Sequence, residues 1–84
     1  MGDKVTVTEA IAMLAEIFEE DEADINLDSS REDIEGWDSL GVLSLMAEFD
    51  SRFDILLSSD ALDALSSVND VIALLRANGA LVEE

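Results

Sequence analysis

Among the side chains able to do chemistry, one hydroxyl stands out: Ser39, in the run Gly36-Trp37-Asp38-Ser39-Leu40 that precedes a strongly periodic apolar segment. The chain has no histidine and no cysteine, and Lys4 is its one lysine. A serine without a base beside it is not a nucleophile at neutral pH, so Ser39 must be acted on rather than act. Schemes needing a cysteine nucleophile or a histidine base are excluded from this chain unaided, as are a disulfide framework and a cysteine zinc site. Helix capping accounts for Asp38 and Ser39 as well, because both residue types accept hydrogen bonds from free N–H groups at a helix start. A second pattern lies upstream, where Asp24, Asn26, Asp28, Ser30, Glu32 and Glu35 stand at loop positions 1, 3, 5, 7, 9 and 12 of a calcium-binding EF-hand. Against that reading, Ser29 takes the place of the turn glycine, Arg31 brings a positive charge, and Gly36 breaks the exiting helix. No metal site is therefore assigned.

Helices must position these residues. Val42, Leu45, Met46, Phe49 and Phe53 recur at helical spacing and predict an amphipathic helix over about residues 39–53. With successive residues about 100° apart, Ser39 falls at the edge of the apolar face, and Leu40, Leu43 and Ala47 form an adjacent strip. Thr6 and Glu9 fit a capping box ahead of the stripe Ile11, Leu14, Ala15, Ile17 and Phe18, with Met13 at its edge, predicting a helix over about residues 7–20. A long loop over residues 21–38 follows, with Ile25, Leu27, Ile34 and Trp37 as its pins to the core. At least one of Ile55, Leu56 and Leu57 should plug the core. Ser58 or Ser59 can cap a short helix over residues 60–65 whose inner face is Ala61, Leu62 and Leu65. Ser67 and Asp70 repeat the capping pattern ahead of a last helix over residues 68–78, stopped by Gly79. Residues 1–5 and 80–84 are expected to be a flexible lead and a frayed end. The fold class is all-α: three main helices and one short one in a single domain, residues 1–84, with the long loop between the first two helices.

The segment Asp38-Ser39-Leu40 resembles the modification site of acyl carrier proteins. The similarity extends through the apolar spacing of the second helix to Phe53-Asp54 and on to Ser67-Val68 at the last helix, covering nearly the whole chain in the right order. The resemblance implies a four-helix acyl-carrier-like bundle, and it accounts for the long first loop. It implies 4′-phosphopantetheine attached covalently to Ser39, flanked by Asp38 and Leu40, with Leu40, Leu43 and Ala47 on the partner surface. It implies a non-catalytic carrier that a phosphopantetheinyl transferase loads from coenzyme A with magnesium. Acyl-transferring, ketosynthase or acyl-activating enzymes with basic docking patches would then use the thioester in a fatty-acid, polyketide or related pathway. Gly41 and Ser44 replace the acidic residues usual along this helix, pointing to a specialised stand-alone member. Gly41 also costs up to about 1 kcal/mol of helix stability relative to alanine, which predicts a mobile start to the helix. An acyl chain could enter beside the adaptable Met46. An aminoacyl or peptidyl carrier, and an unmodified acidic interaction module or weak divalent-ion binder, stay open on the residues alone.

Composition bears on partners. With 49% hydrophobic residues the chain can form a core despite a net charge of −17. Twenty-one acidic residues against four basic ones argue against nucleic acid and anionic membranes as partners. No apolar run reaches membrane-spanning length and no basic, hydrophobic leader precedes the first helix, so a monomer in the cytoplasm is expected. The charge is uneven: residues 16–38 hold eleven acids, whereas residues 39–53 hold only Glu48 and Asp50, opposed by Arg52. Screening should relieve repulsion within the acidic stretch. The melting temperature is expected to rise from about 0.01 to about 0.15 M salt, as the Debye length falls from about 30 to about 8 Å; a thermal melt at each salt concentration checks it, and a flat response would show that the acids are too solvated to matter.

Overall fold

A computed structural model describes residues 4–82. Four α-helices follow in chain order: α1 (Val7–Phe18), α2 (Ser39–Phe53), α3 (Ser59–Ala64) and α4 (Val68–Ala77), with one 3₁₀ turn at Glu22–Asp24 in the connector between α1 and α2. This is the all-α, acyl-carrier-like arrangement of three main helices and one short one. Each helix starts where a polar side chain satisfies an orphan N–H. Thr6 and Glu9 form a reciprocal capping box at α1, Asp38 caps α2, Ser58 caps α3 and Ser67 caps α4. The last differs from the expected box, because the Asp70 carboxylate turns to Ser66, accepting from its N–H at 2.9 Å and its hydroxyl at 2.8 Å.

Leu14, Phe18, Leu45, Phe49, Val68, Val71 and Leu75 form the centre of the core. Burying each such side chain contributes about 1.5–3 kcal/mol. The connector is pinned from two sides. Ile25, Ile34 and Trp37 are buried, and the Trp37 ring stacks on Phe18 with centroids 5.0 Å apart. Leu27, expected as a fourth pin, is instead exposed; its carbonyl accepts from the Asn69 N–H, so backbone rather than side chain holds that position. Further backbone bonds tie the connector to the α3–α4 turn, from Arg31 N–H to the Ser66 carbonyl (2.8 Å) and from Val68 N–H to the Ser29 carbonyl (2.9 Å). Ser29 is the one buried polar residue among the described residues, its hydroxyl accepting from the Asn26 N–H. After α2, Leu57 plugs the core while Leu56 is open to solvent.

Three further expectations change. Helix α1 ends at Phe18 rather than near residue 20, because Glu19 takes the left-handed conformation (φ 57°) and the Glu20 N–H closes back onto the Ala15 carbonyl. The chain ends are tied rather than loose at Val5, Ala80 and Leu81, all buried, with Val5 N–H donating to the Ala80 carbonyl and Val82 N–H to the Val5 carbonyl. The expectations for residues 1–3 and 83–84 lie outside the described residues. The start of α2 is packed rather than loosened, since Gly41 is buried and a Cβ there would stand 2.2 Å from the Gly36 carbonyl oxygen and 2.9 Å from Phe18 Cδ1. Gly36 is equally constrained, a Cβ meeting the Phe18 carbonyl oxygen at 1.8 Å.

Two effects oppose one another in Gly41→Ala: about 1 kcal/mol of helix propensity gained, and about 1–3 kcal/mol of overpacking against backbone that cannot swing aside. The second wins, so Gly41→Ala lowers the urea midpoint; an unchanged or raised midpoint would mean that Gly36 retreats freely. A pH dependence also follows. Hydrogen bonds from the backbone and hydroxyl of Ser66 lower the Asp70 pKa, and Ser30 does the same for Asp33. A carboxylate with a depressed folded-state pKa stabilises the fold above its unfolded pKa, and this is lost as pH falls through the folded value. The stability difference between wild type and Asp70→Asn is therefore present at neutral pH and disappears on acidification below the ordinary carboxylate range, as denaturation midpoints against pH will show.

Candidate functional site

The start of α2 brings the sequence-selected residues together. Asp38 is extended (φ −113°, ψ −168°) and its Oδ1 accepts from the Gly41 N–H at 2.9 Å, which fixes the first turn. Capping thus falls to Asp38 and leaves Ser39, the first helical residue, otherwise uncommitted. Ser39 is exposed, and its hydroxyl makes no hydrogen bond to any described residue. No base contacts it within the described residues. Leu40 and Leu43 are 73% and 58% exposed, values that set them apart from Leu45, the buried leucine of the same helix. Ala47 continues the exposed strip. On the inner side Leu45, Phe49 and Phe53 are buried, while Val42 and Met46 are half-buried at the boundary.

Two concavities flank this start. One, a groove of about 390 Å³ between α2 and α3, is lined by Ser39, Val42, Leu43 and Met46 on α2, Ser59, Leu62 and Asp63 on α3, and Arg31 from the connector. The other, of about 370 Å³, lies between the end of α1 and α2, where Ile17, Phe18, Leu40 and Gly41 meet the carboxylates of Glu16, Glu19 and Asp38. The α3 wall and Arg31 escaped sequence reasoning. In the sequence Arg31 stands out only as a mismatch in a calcium loop, although it is one of four basic residues in a very acidic chain and the one between Lys4 and Ser39. The calcium-loop positions do not converge: among the described residues no three acidic side chains surround a point where an ion could sit. Asn26 and Asp33 instead close local turns, with the Asp28 N–H donating to Asn26 and both the N–H and hydroxyl of Ser30 donating to Asp33. No helix among the described residues is long and apolar enough to cross a membrane.

An exposed, uncommitted hydroxyl at a helix N-terminus, beside a groove with an apolar wall, fits a phosphate-linked arm. The hydroxyl has room to be esterified, and the helix start favours the added negative charge. Comparisons with known proteins agree with that chemistry. Residues 9–75 match the family described as "PP-binding: Phosphopantetheine attachment site". The chain is also 36% identical over 69 residues to an acyl carrier protein of Exiguobacterium sibiricum, a stretch covering 82% of this chain and 84% of that protein. The chain thus belongs to the acyl carrier protein family, carriers rather than catalysts, whose prosthetic group is covalently attached 4′-phosphopantetheine.

Proposed function

We propose that Ser39 is the attachment point and that this chain carries acyl intermediates as thioesters for one dedicated acyl or polyketide-like pathway. The observation that carries the reading is the exposed Ser39 hydroxyl, unbonded to any described residue, on the first residue of α2 and inside the matched segment. In the loading step the Ser39 oxygen forms a new phosphoester bond to the phosphopantetheine phosphorus of coenzyme A, its proton leaves, and the bond to the departing adenosine bisphosphate breaks. No described residue is placed to take that proton. Asp38 is adjacent, but it is engaged with the Gly41 N–H, so base and magnesium come from the transferase. The arm's thiol, once loaded, supplies the thioester chemistry. The chain's own part is placement: Asp38 fixes the helix start, and Val42, Leu43, Met46 and Leu62 offer an apolar wall where an acyl chain can lie.

The exposed side of α2 supports a specialised carrier. Leu40, Leu43, Ser44 and Ala47 are uncharged and open to solvent, and Glu48 faces Arg52 at 3.8 Å. Partner enzymes therefore meet an apolar strip bordered by the acidic connector, so docking along α2 depends less on salt than it would on an acidic helix. The partners are a phosphopantetheinyl transferase and acyl-handling enzymes, met in the cytoplasm by a monomer.

The test is intact mass before and after incubation with coenzyme A, magnesium and a broad-specificity phosphopantetheinyl transferase, with Ser39→Ala beside the wild type. The expected result is a gain of one phosphopantetheine on the wild type and none on Ser39→Ala. A gain on both would move the attachment elsewhere. No gain on folded, unmodified wild type would leave family membership without the modification, and would favour an interaction module.

A further inference from the structure

The groove beside Ser39 contains one cation. Arg31 is half-buried, and its backbone is fixed by the bond from its N–H to the Ser66 carbonyl and by the adjacent Ser30–Ser67 bridge. Its side chain forms no ion pair or hydrogen bond with any described residue, although Asp63 lines the same groove. A guanidinium that no described carboxylate engages, in a chain of net charge −17, is a cation open to an incoming anion. Guanidinium groups bind phosphate through paired, charge-assisted hydrogen bonds, and fixing the backbone beforehand lowers the entropy lost on engagement. The concavity on the other flank of α2 is lined by Glu16, Glu19 and Asp38 with no cation, so a phosphate is repelled from it.

We propose that Arg31 is a positioning residue for the arm: its guanidinium pairs with the phosphodiester on Ser39 and turns the arm toward the α2–α3 groove, away from the acidic concavity. The proposal rests on Ser39 as the attachment point. No bond is made or broken; the contact is an ion pair that forms once the phosphodiester is in place. From the groove side the arm passes Val42 and Met46, whereas from the other flank it would pass Ile17 and Leu40.

The experiment compares apo and holo protein, modification verified by mass, for wild type, Arg31→Gln and Arg31→Lys, with circular dichroism to show that each is folded. Phosphorus NMR reads the phosphodiester, and nitrogen-edited proton NMR reads the arginine Nε–H groups. On conversion to holo protein the Arg31 Nε–H resonance is expected to shift while those of Arg52 and Arg76 stay in place. Arg31→Gln should move the phosphorus resonance toward that of free phosphopantetheine, Arg31→Lys should restore part of the difference, and molar salt should abolish it. Contacts from the arm to the Met46 and Val42 methyl groups should be lost in Arg31→Gln. Verified modification with an unmoved Arg31 resonance and an unchanged phosphorus shift in Arg31→Gln would overturn the inference and leave the attachment intact. Failure of Ser39 to take up the group would overturn both.

Discussion

The site depends on one close approach: the end of α1, the Gly36 peptide and the first turn of α2 meet around Phe18 with no room for a Cβ at Gly36 or Gly41. Trp37 closes the contact by stacking on the Phe18 ring. An interior packed to crystal-like density transmits position, so the direction of the first turn of α2 follows from where Phe18 sits. The end of α1 in turn depends on Glu19 adopting a left-handed conformation, which costs an L residue roughly 1–2 kcal/mol. Buried aromatic surface on Phe18 and Trp37 exceeds that cost, at about 1.5–3 kcal/mol for a side chain such as phenylalanine.

Given that frame, the division of labour at the α2 start is simple. Two neighbouring polar residues could each have capped the helix, and the backbone assigns the cap to Asp38 by holding it extended while Ser39 is already helical. A capping serine would have its oxygen engaged with an N–H and drawn toward the backbone. The first helical residue has no such duty, so its hydroxyl faces solvent. The property that makes the site chemically accessible is thus a by-product of a capping decision made one residue earlier.

Much of this was legible because local rules and packing agree. The polar caps and most of the apolar stripes follow from residue type and spacing, although on α1 the buried face includes Ala10 and leaves Ile11 and Ile17 half-buried. What escaped was set by contacts between distant segments. Gly41 read as a weak point in a helix because propensity is a local quantity, while its cause is the packing of Phe18, from the far side of the connector, and of the Gly36 carbonyl against it. Val5, Ala80 and Leu81 read as loose ends because no short-range pattern announces a bridge between the two ends of the chain. Leu27 carries an apolar side chain, yet only its carbonyl serves the fold. The α3 wall of the groove and the approach of Arg31 belong to the same class. They exist because the connector is pinned to the α3–α4 turn by backbone bonds that any sequence could make.

Electrostatics then explains why the flanks of Ser39 differ. A phosphodiester on Ser39 would be an immediate neighbour of the Asp38 carboxylate, and two like charges 4 Å apart repel by about 1 kcal/mol in bulk water and about 4 kcal/mol near a protein surface. The N-terminal end of α2 offsets part of this, about 0.3–1 kcal/mol at an exposed helix end. The remainder is reduced if the phosphate swings away from Asp38, and among the described residues lining the two concavities the opposite charge lies in the groove that Arg31 lines. Asp38 is required for the helix start and so cannot be removed to accommodate the phosphate. On the proposed pairing, a cation on the opposite flank would resolve the conflict, keeping the cap where folding needs it and drawing the arm to the side where the wall is apolar.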